Sequence, residues 1–197
     1  MQKSVEEDRN LYIGGSDVAI IMGLSPFKTY YQLLKEKVGI EEPEKVENPY
    51  VDYGNIMEEK IRNNVNENLQ LNYVEDKLID GDIRCHVDGY DKEDKSILEV
   101  KTTSKTYKKV KSYKYYLVQL LFYMMNYKVD NGILAVYKRP KDFNEEFNDK
   151  LLEIHFIHIE DYQDWIEEIK QAIEKFRRDK KRLEENCLLG EEDFKWK

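Results

Sequence analysis

The chain has 197 residues and a mass of 23.7 kDa, a length that suits one core and needs neither disulfides nor a structural metal to fold. Two cysteines, Cys85 and Cys187, are too few for a disulfide scaffold, a four-cysteine zinc site or an iron–sulfur cluster. A charged start and the lack of any apolar run near about 18 residues argue against export and membrane spanning and predict a reducing cytoplasm, while 40 acidic against 32 basic residues, a net charge of −8, argue against a chain coated in nucleic acid.

Ser16 is a suitable N-cap for a short apolar helix over Val18–Met22, and Thr29 caps a second over Tyr30–Val38, closed by Gly39. The acidic stretch Glu41–Asn48, with Pro43, reads as a solvated loop. Beyond it Tyr53, Ile56, Met57, Ile61, Val65 and Leu69 recur at helical spacing. At about 100° per residue the stripe centres between Met57 and Ile61, which turns Glu58 inward at its edge and Glu59 to solvent. The period then becomes two. Ile83, Cys85 and Val87 alternate with Arg84, His86 and Asp88, and Ile97–Thr103 reads as the returning strand of a hairpin. That hairpin is expected to lay Asp88, Glu99 and Lys101 on one polar face, opposite an apolar one.

Tyr115–Tyr127 is apolar almost all round, the mark of a buried helix, and places Tyr116 and Gln119 on one of its faces. Gly132–Tyr137 and Leu152–Ile159 are strand-like. Tyr162, Trp165, Ile166, Ile169, Ala172, Ile173 and Phe176 give a C-terminal amphipathic helix, followed by a tail from Cys187 that carries Trp196 and reads as mobile or as an oligomer contact. The order predicts an α/β or α+β fold, a central mixed sheet flanked by helices. One domain over 1–197 is expected, with its core at 9–159 and a helix and tail at 160–197.

Carboxylates on a central strand are costly unless they are paired or hold a cation. Asp88 and Glu99 with the backbone carbonyl of Val100 form a hard-oxygen set suited to Mg²⁺ or Mn²⁺. Lys101 could hold or activate a water and offset charge on a phosphate. The set points to phosphodiester hydrolysis; the alternative is a cross-strand salt bridge on an exposed face. From Lys101 to Lys114 there are six lysines and no carboxylate, whereas Glu41 to Glu59 carries seven carboxylates against Lys45 alone. With Tyr107 and Tyr113 interleaved, the lysine run suits a surface that tracks a nucleic-acid backbone, or else a solvated loop. His155 and His158 fall on opposite faces of a strand and share no metal, and Cys85 packs on the apolar face.

Asp88 followed by Glu99-Val100-Lys101 resembles the core of the PD-(D/E)XK nucleases. Further motifs stand in order: Arg9 with Ile13-Gly14-Gly15-Ser16-Asp17, Gly23-Leu24-Ser25-Pro26-Phe27, Gly54-Asn55-Ile56-Met57-Glu58, Val87-Asp88-Gly89, Leu98-Glu99-Val100-Lys101-Thr102 and Tyr116-Leu117-Val118-Gln119. Together they resemble the lambda-exonuclease or YqaJ-type phage recombination nucleases over roughly residues 9 to 137. The resemblance implies a metal-dependent DNA nuclease, a 5′ to 3′ exonuclease on duplex ends that makes 3′ single strands for recombination. It implies Asp88, Glu99 and Glu58 at the metal, Lys101 as the catalytic lysine and Gln119 as a helix residue reaching the site. Arg9, Ser16 and Lys105 would take the terminal 5′-phosphate, with Lys108 and Lys109 on DNA. A ring-like homotrimer and a single-strand annealing partner are also implied. Phe27 stands where the family has Trp, and His86 where a small hydroxyl residue is expected. An endonuclease with the same site and a catalytically idle DNA-binding module remain the alternatives.

Overall fold

The computed structural model describes residues 9–43 and 48–189. Residues 44–47 of the acidic loop and the expected tail around Trp196 lie outside the described residues. In chain order the elements are strand β1 (Ile13–Gly14), helices α1 (Gly15–Ile21), α2 (Tyr30–Val38) and α3 (Pro49–Leu69), strands β2 (Val74–Asp80), β3 (Ile83–Asp91) and β4 (Ser96–Thr103), helix α4 (Lys114–Tyr127), strands β5 (Asn131–Lys138) and β6 (Leu152–His158), and helix α5 (Gln163–Leu189).

The expected mixed sheet with flanking helices is present, with six strands. β2 pairs antiparallel along nearly all of β3, so β1 and β4 share β3's other edge; β4 runs parallel to β5, and β6 closes the far side. Two strands were not foreseen. β2 is exposed along most of its length and shows no buried period, and β1 is two residues long.

The sheet has two unequal apolar sides. The larger packs Ile83, Cys85, Val87, Ile97, Leu134 and Val136 against α1, α2, α4 and α5. The smaller packs Leu98, Val100, Ile133, Ala135 and Tyr137 under α3, which contributes Tyr53, Met57, Ile61 and Val65. Ile56, expected in that stripe, is 42% exposed. Helix ends follow local chemistry. The Thr29 side chain accepts from Gln32 N–H, and Gly39 closes α2 at φ 80°, a conformation that favours glycine. Ser16 does not cap α1; the helix begins at Gly15, three residues before the expected Val18, with Gly14 as its N-cap, and Asp17 Oδ2 accepts the Gly14 N–H at 2.9 Å. The carboxylate reaches back to the backbone more favourably than the serine hydroxyl because it bears the charge the helix start attracts.

Asp17 is buried, and its partner is the buried Lys37, Nζ to Oδ2 at 2.7 Å. The same ammonium donates to the carbonyls of Arg9 at 2.8 Å and Tyr12 at 2.6 Å, so it ties the entry segment to α2. Removing one member of a buried pair leaves the other charge stranded. Asp17→Ala or Lys37→Ala is expected to cost about 3–5 kcal/mol in urea unfolding, and Asp17→Leu with Lys37→Met together less than the sum of the two single losses.

Candidate active site

β3 and β4 pair only at Gly89 with Leu98, Tyr90 with Ile97 and Asp91 with Ser96. Against β2 the register slips: Val74 faces Tyr90, yet Asp76 faces Val87, so Asp88 and Gly89 together oppose Glu75 in a β-bulge. The residue after Asp88 must be small. A Cβ on Gly89 would lie 2.6 Å from Tyr73 Cβ and 3.1 Å from Leu98 Cβ. Past the bulge β4 leaves β3, and the Asp88 side chain fills the gap, its Oδ2 accepting the Val100 N–H at 2.7 Å.

This corrects the expected hairpin with its single polar face. Alternation breaks at the bulge, and Glu99, between Leu98 and Val100, points to the same side as Ile97, where it is 0% exposed. Glu99 Oε1 is held by the Lys101 ammonium, and among the described residues neither carboxylate oxygen accepts from any other group. Glu58 comes from α3 on the other side of the sheet, and Glu59 is exposed as expected. Arg62, one turn on from Glu58, donates to Glu58 Oε1 at 3.1 Å, to the Asp88 carbonyl at 2.7 Å and to Glu75 Oε1 at 3.1 Å. It fastens the bulge to α3.

The electrostatics follow from burial. Desolvation, then the charge of Asp88, pushes Glu58 up to about 7 and Glu99 up to about 8. Burial also raises Asp88, against the pull of Lys101 and the Val100 N–H. For Lys101 burial acts downward, but Glu99 and Asp88 outweigh it and hold the ammonium above its usual range. Lys101 is therefore a hydrogen-bond donor and a positive charge.

Above these groups opens a cleft of about 610 Å³. Asp88, Val100, Lys101 and Thr102 to Ser104 line it, with Asn48, Tyr50, Val51, Gly54, Asn55, Glu58 and Arg139 along one stretch and Ser16, Phe27, Tyr115, Tyr116 and Gln119 along another. Of the residues singled out in the sequence, Ser16, Glu58, Asp88, Val100, Lys101 and Gln119 thus share one cavity, with Glu99 buried beside it. Gln119 Nε2 donates to the Tyr123 hydroxyl at 3.1 Å. Arg9, Lys105, Lys108 and Lys109 are exposed and do not line the cleft. His86 lies off the cleft, exposed, with Nε2 3.8 Å from Glu75 Oε2. Phe27 lies at the cleft, 85% exposed, edge-on to Tyr115. Arg62, Tyr50 and Arg139 carried no motif. Arg62 could have been found from its i+4 spacing to Glu58; Arg139 meets its partners only through the fold.

The YqaJ-like viral recombinase domain model matches residues 6–126 of this chain. The chain belongs to that family. Its fold is also that of solved structures: a phage-related exonuclease from Haemophilus somnus 129PT (TM-score 0.71, 16% identity, 90% of this chain and 96% of that one), and the alkaline exonuclease LHK-Exo from Laribacter hongkongensis (0.70, 17%, 93% and 95%). LHK-Exo in complex with dAMP is similar to the same degree (0.68, 17%, 90% and 92%). No curated protein matches the sequence.

A hard divalent cation fits the donor set of this YqaJ-like domain. Glu99 offers a buried carboxylate whose one partner among the described residues is Lys101, Asp88 has one oxygen engaged by a backbone N–H, and Val100 directly follows Glu99 in the chain. Among the described residues no three His, Cys, Asp or Glu side chains converge closely enough to hold a metal ion by themselves. Two carboxylates with remaining positions for water is how Mg²⁺ is commonly held. Glu58, tied to Arg62, stands beside that pair.

Carboxylates raised in the folded state bind protons that the unfolded chain releases, so their stabilising contribution is full below about pH 4.5 and is lost as pH climbs through about 7 to 8. In EDTA the protein is expected to lose on the order of a few kcal/mol of stability between about pH 5 and pH 9. Mg²⁺ or Mn²⁺ should raise the thermal midpoint more at the alkaline end, where the ligands are ionised. A flat profile in both series would contradict the assignment.

Proposed function

We propose that this protein is a divalent-cation-dependent deoxyribonuclease that digests duplex DNA from its ends, 5′ to 3′, leaving 3′ single strands for recombination. The observation that carries the reading is the meeting of Asp88 and Lys101 in an open cleft with Glu99 buried beside them, its carboxylate held by that lysine alone among the described residues. Membership of the YqaJ-like viral recombinase family and the likeness to two exonuclease folds support it.

Asp88, Glu99 and the Val100 carbonyl would hold the cation, with Glu58 completing the acidic surround. When bound, such an ion supplies Lewis-acid stabilisation of phosphate charge and lowers the pKa of a water. The chain's own residues do the positioning. Lys101, held protonated by its carboxylate neighbours, donates to the attacking water or to a phosphate oxygen and offsets the charge that builds there. Gln119, oriented through Tyr123, reaches the same space from α4. Ser16 at the cleft and Arg9 beyond it would take the terminal 5′-phosphate, and Lys105, Lys108 and Lys109 would follow the duplex backbone.

A time course on end-labelled duplexes bearing 5′-phosphate or 5′-hydroxyl, with Mg²⁺ or EDTA, tests this directly. Digestion should require the cation, proceed from the 5′ end and favour the phosphate. Rapid loss of covalently closed circles would convict an endonuclease instead. Asp88→Ala, Glu99→Gln and Lys101→Ala should each lower cleavage by about 10²-fold or more while DNA binding persists; full activity in any one removes the mechanism.

The lysine loop makes a separate prediction. Replacing Lys105, Lys108 and Lys109 by Ala should weaken duplex binding and reduce the slope of log affinity against log salt by about 2–3, because fewer counterions are released. An unchanged slope would return these lysines to solvent.

A further inference from the structure

Arg139 directly follows β5, and its N–H donates to the Thr103 carbonyl at 2.8 Å, which fixes its backbone beside the Thr102–Ser104 segment of the cleft. Its guanidinium carbon lies 4.3 Å from the centroid of the Tyr50 ring and 5.1 Å from that of Phe143. The two rings stack on each other, with centroids 5.5 Å apart at 25°. Aromatic faces hold a guanidinium by cation–π attraction and leave its N–H edge free. Among the described residues Arg139 makes no side-chain hydrogen bond and no ion pair. Lys101, the other basic residue lining the cleft, is already paired with Glu99. Among the described residues of the lining, Arg139 is thus the cation without a carboxylate partner. A planar fork of five donors, pre-oriented on aromatic faces, matches the oxygens of a phosphodiester.

We propose that Arg139, held by Tyr50 and Phe143, is a phosphate-binding subsite that grips one backbone phosphate of the bound DNA strand, distinct from the phosphate being cut. The inference rests on the nuclease reading above and extends it to the part of the lining that α3 and the residues after β5 contribute. The bland role for the same contacts is to fasten the segment around Phe143 to α3, which would affect stability and leave DNA untouched.

The test uses the full chain with Ca²⁺ in place of Mg²⁺, a labelled duplex with a single-stranded end, and a set of oligonucleotides each carrying one neutral methylphosphonate. Fluorescence anisotropy across a salt series gives affinity and slope. The wild type should lose roughly tenfold in affinity when one particular phosphate is neutralised. Arg139→Gln should lose a similar factor on unmodified DNA, show a salt slope reduced by about one, and become indifferent to that same methylphosphonate. Arg139→Lys, which keeps the charge and loses the fork, should retain the slope and part of the affinity. If Arg139→Gln does not fold, as judged by its urea midpoint, the methylphosphonate scan on Arg139→Lys decides: weakened sensitivity at the one position supports the subsite, and a wild-type scan overturns it.

Wild-type affinity and slope in Arg139→Gln, or a loss that adds in full to every methylphosphonate, overturns the subsite. Should that occur while wild-type protein cleaves DNA and Lys101→Ala does not, the subsite alone falls. Should wild-type protein neither bind nor cut DNA, the nuclease reading falls with it.

Discussion

A carboxylate stripped of water and held by nothing but one ammonium raises the free energy of the fold, and Glu99 is such a group, with Lys101 as its one partner among the described residues. The local backbone is arranged around it. Had β3 and β4 stayed zipped, the Val100 N–H would bond to β3 backbone and Asp88 would have no place between the strands. The bulge at Asp88-Gly89 opens that gap, and the aspartate carboxylate takes over the N–H that the ladder abandons. The same parting of strands brings groups from both sides of the sheet within electrostatic range. Glu58 arrives from under α3, Glu99 and Lys101 from the face beneath α4. Three buried acids, of which Asp88 raises both Glu58 and Glu99 beyond the effect of burial, beside one lysine, form a site short of positive charge.

Such a site needs rigid surroundings, since repelling carboxylates would otherwise move apart. Arg62 answers part of this by bridging Glu58, the bulged peptide and Glu75, which locks α3 to the irregular stretch of β3. On the opposite wall the Asp17–Lys37 pair and the two carbonyls beneath it hold the entry segment against α2, and with it the backbone next to Ser16. The Asp17–Lys37 pair is removed from solvent, where geometry is specified at the expense of net stability, whereas Arg62 is largely buried but reaches the half-exposed Glu75. Neither lies at the centre of the cleft; both determine where its lining stands.

The fold was legible wherever burial has a period. The helix through Tyr53, Met57, Ile61 and Val65, the buried helix at 115–127 and the strand 83–87 stand where their spacing put them, because each has one partner surface and a residue pattern that matches it. β2 was not legible, since an exposed edge strand buries nothing and leaves no pattern. Within the site, Asp88, Glu99 and Lys101 could be found from residue type and spacing, and Glu58 from its angle on a helix. Their mutual geometry could not. A bulge reverses the alternation on which the polar-face reading depended, and it is set by the register against β2, a strand absent from the sequence reading. Ser16 lost its capping role to Asp17 for a related reason: several side chains can satisfy a helix start, and tertiary pairing with Lys37 decides which one does. Arg139 and Tyr50 meet only in three dimensions.

The lysine run shows how a chain of net charge −8 can still present a basic face. Its members are not equivalent. Lys111 lies over the Tyr162 ring at 5.4 Å and Lys114 over Trp165 at 5.1 Å, so these two are engaged with the start of α5 and the turn before it. Lys105, Lys108 and Lys109 are exposed on the preceding loop, which is pinned because Tyr113 accepts the Tyr107 N–H at 2.7 Å and donates to Glu153 at 2.9 Å. A loop held at its aromatic residues with its cations outward loses little further entropy on meeting a polyanion, unlike a solvated loop of equal charge. The acidic remainder then acts at longer range. Across a Debye length of about 8 Å at physiological salt its repulsion is screened, while a lysine in contact with phosphate is screened much less. If the protein acts on DNA as proposed, the surplus of carboxylates would disfavour casual adsorption elsewhere on the surface and leave the lysine loop as the face on which approach is favourable.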